Sequence, residues 1–213
     1  MTAGSTGRII DGPEDLAEGV AWLAARCPRM ASALDQVGPL PLRRSPEGFA
    51  QLLSAIVSQQ VSVASANAIW GRLESAGMTA PERVSAAAED DLRALGLSRQ
   101  KARYARALAG AGIDFAALGA MPDESVIAEL VRVPGIGRWT AEIYAMFSLG
   151  RADVFAANDL ALQESARLLY GLAERPGERA LREMAGDWSP WRAVAARTLW
   201  AYYRLAKQRE GIR

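Results

Sequence analysis

In Val133-Pro134-Gly135-Ile136-Gly137-Arg138-Trp139-Thr140, two glycines flank one apolar residue where a helix opens. With no Cβ at Gly135 or Gly137 the backbone can approach a phosphate closely, and the partial positive charge of the following helix N-terminus favours an anion there. Ile136 would pin such a turn into the core. A bare Gly-x-Gly reads more readily as an ordinary tight turn between two packed helices. Asp159 stands about twenty residues further on. Its carboxylate can cap a helix starting near Leu160, can stabilise a nearby positive charge, or can do both.

Other chemistries are excluded by residue types. The 213 residues contain no His and one Cys, Cys27. An internal disulfide, a four-cysteine iron–sulfur cluster, His-based zinc or haem sites and His-based catalytic triads are therefore ruled out. Twenty-five Lys and Arg against 24 Asp and Glu leave a net charge of +1, so any contact with nucleic acid must come from local clustering of bases. Met1 to Gly7 lack the basic start and apolar run of a secretory signal, and no stretch reaches the roughly 18 apolar residues of a membrane span. The expectation is a soluble chain in the cytoplasm or another intracellular compartment, with no membrane partner.

The elements that must hold these residues read as helices, since apolar residues recur at helical spacing and strand-like alternation is scarce. Pro13 with Glu14 and Asp15 predicts a helix to about Arg26. After a loop from Gly38 to Pro46, helices are expected over Glu47 to Ser58 and Val61 to Ala76, in a short segment led by Pro81, and over Ser98 to Gly110. A helix from Asp123 to near Val131, the glycine turn and a helix over Gly137 to Leu149 make a helix-hairpin-helix. A linker over Gly150 to Ala157 leads to a helix from Asn158 to Tyr170. A break at Arg175-Pro176-Gly177 follows, then a long helix from about Pro190 to Glu210.

From Leu130 to Asp159 the chain resembles the helix-hairpin-helix (HhH-GPD) DNA glycosylases, whose hairpin is followed by a Gly/Pro-rich loop ending in an Asp. It is most similar to the 3-methyladenine DNA glycosylase II branch, which has Pro-Gly-Ile-Gly-Arg-Trp-Thr-Ala at the hairpin. Ser58-Gln59-Gln60-Val61-Ser62 and Trp188-Ser189-Pro190-Trp191-Arg192 also look like that branch, extending the resemblance over roughly Phe49 to Leu205. The loop here reads Phe155-Ala156-Ala157-Asn158-Asp159, without the family's proline. Ile143 and Leu160 stand at positions that can carry Tyr.

The resemblance implies an all-α, two-lobed fold with a DNA-binding cleft between the lobes. One lobe is expected over about 49–149 and the other over about 8–48 plus 150–213, within a single functional unit over 1–213. It implies a monofunctional DNA glycosylase of base excision repair that flips out alkylated purines such as 3-methyladenine and 7-methylguanine, with ethenoadenine a further substrate. The N-glycosidic bond would then be hydrolysed. Asp159 would stabilise the sugar as it becomes oxocarbenium-like, or activate the water. Trp139, Trp200 and Tyr144 are candidate walls for the flipped base, and Gln60 the wedge left in the gap. Gly135, Ile136, Gly137, Arg138, Thr140 and Lys101 are candidate DNA contacts, joined by Arg99 and Arg103, with Arg192, Arg197 and Arg204 less specific. No cofactor or catalytic metal is implied, but a monovalent cation at the hairpin carbonyls is. The expected partner is duplex DNA with alkylated bases, bound by a monomer.

Two other readings stay open. One is a bifunctional glycosylase/lyase for oxidised bases, but members that also cut the backbone carry a Lys at the position of Trp139, whose amine forms a Schiff base. An indole cannot do this, leaving Lys101 as the only nearby amine. A non-catalytic DNA-binding module would use the hairpin alone, and would gain nothing from a carboxylate beside a polyanion.

Overall fold

Proline at the first helical position and acids in the first turn start α1 (Pro13–Arg26), and the Asp15 carboxylate accepts from the amides of Asp11 and Gly12, both at 2.9 Å. Those two bonds hold its pKa below the usual carboxylate value. Cys27 ends α1 and at once begins α2 (Pro28–Val37), again with proline at the first position. The computed structural model describes residues 6–209. Helices dominate it, and among the described residues the only β pairing is an isolated antiparallel bridge between Ile9 and Arg151.

Next come α3 (Phe49–Ser58), α4 (Val63–Ser75), α5 (Pro81–Ala86), α6 (Glu89–Ala94), α7 (Arg99–Gly110), α8 (Phe115–Leu118), α9 (Asp123–Val131) and α10 (Arg138–Phe147). The last three are α11 (Leu160–Tyr170), α12 (Glu178–Met184) and α13 (Arg192–Arg209), with a 3₁₀ turn at Ala185–Trp188. Several ends differ from the sequence expectation for local reasons. α3 starts at Phe49 because Gly48 sits at φ 99°, outside helical geometry. α4 starts at Val63 because Ser62 caps it, its side chain accepting from the Ser65 amide. α2, α6, α8 and α12 were not expected as separate helices.

The chain divides into two compact units. Among the described residues, one is formed by Ser45–Tyr144 and the other by 6–44 together with 145–209, so the boundary falls within α10. In the first unit α7 is central, packing against α3, α5 and α6. Its buried face is Ala102, Ala105 and Leu108, and the small residues allow close approach. In the second unit α13 packs against α1, α2 and α11. With three helices around it, all of Ala193 to Leu199 is buried.

The α1–α13 approach depends on Gly19, where a Cβ would lie 2.6 Å from Val194 Cγ2 and 2.7 Å from the Trp191 ring. Helix propensity alone favours Ala over Gly by roughly 1 kcal/mol, whereas overpacking a dense core costs about 1–3 kcal/mol. Gly19→Ala is therefore expected to destabilise the protein, lowering the urea midpoint at unchanged slope. A raised midpoint would show that the contact yields without cost.

Candidate active site and nucleic-acid interface

Asp159 caps α11. Its Oδ1 accepts from the amides of Ala161 (2.9 Å) and Leu162 (3.0 Å), and from Trp200 Nε1 (3.2 Å). α11 packs on α13, which brings the indole of Trp200 to this carboxylate. Asp159 is half-buried, between exposed Asn158 and Leu160. Trp200, half-buried, also meets Phe147 at 5.7 Å between ring centroids.

The loop that delivers Asp159 is tied along its length. Ile10 donates to the Gly150 carbonyl (2.7 Å), and Ala193 donates to that of Ala152 (2.8 Å). Asp153 receives Arg192 through two bonds of 2.7 and 2.8 Å and the Ser189 hydroxyl at 2.8 Å. Gln163 Nε2 donates to the Ala157 carbonyl at 3.0 Å, and Val154 to Ala157 are buried. The Trp188-Ser189-Pro190-Trp191-Arg192 motif thus acts on the Asp159 loop through Ser189 and Arg192.

The first unit holds the hairpin. Gly135 adopts φ 94°, and a Cβ there would fall 2.4 Å from the Tyr104 ring. Glycine is required on both counts, for backbone conformation and for space. Ile136 is 3% exposed and anchors the turn, and the Val133 carbonyl accepts the Ile136 amide at 3.0 Å. Gly137 is exposed, and the amides that follow it lie in the first turn of α10, where N–H groups have no intrahelical partner.

Beside the hairpin lies a pocket of about 380 Å³ whose lining includes Gln60, Lys101, Tyr104, Gly135 and Gly137. Gln60 is exposed at the α3–α4 junction with φ 55°, a left-handed conformation unusual for a non-glycine residue. Its neighbour Gln59 donates from Nε2 to the Gly135 carbonyl (2.9 Å), linking that junction to the hairpin. Lys101 Nζ donates to the Val57 carbonyl at 2.7 Å, in the last turn of α3, and burial lowers its pKa.

The structure thus gathers Gln60, Lys101 and the hairpin around one pocket, and Asp159 with Trp200 in the other unit. Trp139 is 43% exposed in the first turn of α10, while Thr140 is buried. Tyr144 is 3% exposed and accepts the Gly48 amide at 2.8 Å, a packed environment whose desolvation raises its pKa. Arg138 is engaged by Glu124 through Nη2 (2.8 Å) and by buried Glu142 through Nε (2.9 Å), so two carboxylates already offset the charge that it could offer a phosphate. Arg99 and Arg103 face Glu89 at 3.9 and 3.4 Å with most of their side chains exposed. Arg192 and Arg197 do not form the solvated face that helical charge spacing suggests, since one binds Asp153 and the other is buried.

Gln59, Tyr104 and Glu142 were missed from sequence. The Arg138–Glu142 pair was legible as an i,i+4 ion pair, whereas the role of Tyr104 emerges only from the tertiary approach of α7 to the hairpin. Among the described residues no group of three or more His, Cys, Asp or Glu is placed to hold a metal ion.

Residues 53–190 match the family of HhH-GPD superfamily base excision DNA repair proteins. The DNA-3-methyladenine glycosylase 1 of Schizosaccharomyces pombe is 31% identical over 180 residues, covering 78% of this chain and 77% of that protein. A solved DNA-3-methyladenine glycosidase from Bacillus halodurans superposes with a TM-score of 0.80 at 33% identity, covering 94% of each chain. The S. pombe 3-methyladenine DNA glycosylase solved in complex with abasic DNA gives a TM-score of 0.73 at 29% identity, covering 86% of this chain and 95% of that one.

Gly135→Ala places a Cβ against Tyr104 at a positive φ, and is expected to destabilise the protein by more than about 1 kcal/mol. Tyr104→Ala in the same background removes the ring but leaves the residue-104 Cβ 2.8 Å from the added Cβ, so it should restore only part of the steric cost. Chemical denaturation of the two single variants and the double variant measures that coupling. Strict additivity would show that the ring does not dictate glycine here.

Proposed function

Because the chain belongs to the HhH-GPD superfamily of base excision DNA repair proteins, we propose that it is a monofunctional DNA glycosylase that hydrolyses alkylated purines from duplex DNA, with Asp159 as its catalytic carboxylate. The observation that carries this reading is the fixed position of Asp159, one of whose oxygens takes three hydrogen bonds. Cleaving an N-glycosidic bond leaves the sugar positively charged in the transition state. A carboxylate 4 Å from that charge contributes about 4 kcal/mol at an effective dielectric constant near 20. Held before the reaction begins, it need not reorganise as charge develops. The same carboxylate can in addition orient the attacking water.

The remaining residues take roles that follow from their positions. Trp200, whose N–H bonds Asp159, serves as a wall for the flipped base, and exposed Trp139 offers an aromatic surface for a base on the first unit. Buried Tyr144 supports the helix that carries Trp139. Stacking on indole favours purines made cationic by alkylation, such as 3-methyladenine and 7-methylguanine, with ethenoadenine bound by stacking alone. Gln60, at the tip of a turn with its side chain exposed, enters the gap left by the base. Gly135, Ile136, Gly137 and the first turn of α10 through Thr140 hold a backbone phosphate, and Arg138 and Lys101 add charge. Trp139 offers no amine, and the ammonium of Lys101 is bound to the Val57 carbonyl, which favours hydrolysis over Schiff-base chemistry.

A monovalent cation fits the hairpin, because the carbonyls of Val133 and Gly135 each accept one hydrogen bond and a carbonyl oxygen has two lone pairs. Those carbonyls would hold it, and it would add positive charge toward a phosphate. Action as an intracellular monomer on damaged duplex belongs to the same proposal.

Asn caps helices about as well as Asp. Asp159→Asn therefore removes the charge while leaving the cap, and is expected to slow single-turnover base release from methylated duplex by about 10²–10³-fold. Melting temperature and duplex affinity should stay near native. Base release at the native rate would leave Asp159 as a cap alone.

A further inference from the structure

On the second unit, Arg43, Arg197 and Arg204 line a hollow with Pro41, Phe147 and Trp200. Its room is about 10 Å³, enough for roughly one water-sized atom. Arg197 is 4% exposed, with its guanidinium 4.6 Å from the Phe147 ring centroid. Nη1 donates to the Ala193 carbonyl (3.0 Å) and Nη2 to that of Met146 (3.5 Å), but buried Nε has no hydrogen-bond partner.

Burial is the largest influence on this group, followed by the positive charges of Arg44 and Arg43. Together they pull its pKa down to about 10, with no carboxylate acting in the opposite sense. Arg44 pairs with Asp11 at 3.5 Å, yet its buried Nη1 also lacks a partner. Arg43 holds φ 49° in an exposed position. Buried charge is costly unless an opposite charge or a full set of hydrogen bonds compensates it. Here a buried guanidinium faces a small hollow edged by two more arginines, and its shortfall is an acceptor carrying negative charge.

We propose that Arg43, Arg197 and Arg204 form an oxyanion site beside Trp200. It takes one phosphate oxygen into the hollow, while the two exposed arginines close on the remaining oxygens. The indole of Trp200 is shared, its N–H on Asp159 and its ring lining this hollow. The oxyanion comes from a backbone phosphodiester or from free inorganic phosphate.

Thermal unfolding of the full chain is followed as sodium phosphate replaces sodium gluconate at constant ionic strength and pH. Phosphate stabilises proteins generally by exclusion from their surfaces, so the signal is a saturable rise in midpoint beyond that shared with the variants. The native protein is expected to show it, and Arg197→Leu to lack it. Arg43→Gly, at an exposed position whose positive φ suits glycine, should weaken it and keeps the test valid if Arg197→Leu does not fold. A native midpoint without the saturable rise, or the same rise in these variants, overturns the proposal. The phosphate arm does not depend on base release, so its outcome is separable from the glycosylase reading. Duplex affinity against salt then identifies the source. A slope of log affinity on log salt smaller by about 0.9 in Arg43→Gly marks a backbone phosphate, and an unchanged slope with the saturable rise intact in the native protein marks free phosphate.

Discussion

One carboxylate oxygen accepting two backbone amides and an indole N–H sets the conditions for everything else at Asp159. A side chain at the start of a helix is ordinarily held by its cap alone. The third bond here comes from α13, so the orientation of the carboxylate depends on how α11 and α13 pack. That packing uses the buried run Ala193 to Leu199 and the glycine contact between α1 and α13. The approach to Asp159 is constrained as well, by Arg192 and Ser189 on Asp153 and by Gln163 on Ala157. In the proposed reaction, a carboxylate fixed this way would meet developing charge without first losing side-chain entropy.

The first unit achieves a comparable rigidity by different means. Gln59 joins the α3–α4 junction to the Gly135 carbonyl, Lys101 binds the end of α3, and Tyr104 fills the space that only glycine leaves open. Gln60 is therefore presented from a turn whose neighbours are tied to the hairpin and to α7. The exposed residues are those suited to contact with DNA, whereas the residues that tie them are half-buried and polar.

Much of this was legible in the sequence because it rests on local chemistry. Pro13 with two acids marks a helix start wherever it occurs, and Asp159 before an apolar helical run reads as a cap without tertiary information. α2 was hidden because only Cys27 separates it from α1, and α6 and α12 are too short for a periodic pattern to emerge. The environment of Arg197 was misleading for a definite reason. Arg at helical spacing suggests a wet face, but α1, α2 and α11 surround this part of α13 and leave none. Likewise Glu124 reaches Arg138 from fourteen residues away, and Trp200 reaches Asp159 from forty-one. No local pattern encodes either contact.

The account stands on the charge of Asp159 acting on a cationic sugar. Equilibrium binding isolates that term when a duplex carrying a protonated pyrrolidine abasic nucleotide is compared with one carrying a neutral tetrahydrofuran abasic nucleotide. The native protein should prefer the cationic duplex at least about tenfold, equivalent to about 1.4 kcal/mol, and Asp159→Asn should lose that preference while still binding the neutral duplex. An undiminished preference in Asp159→Asn would contradict the account.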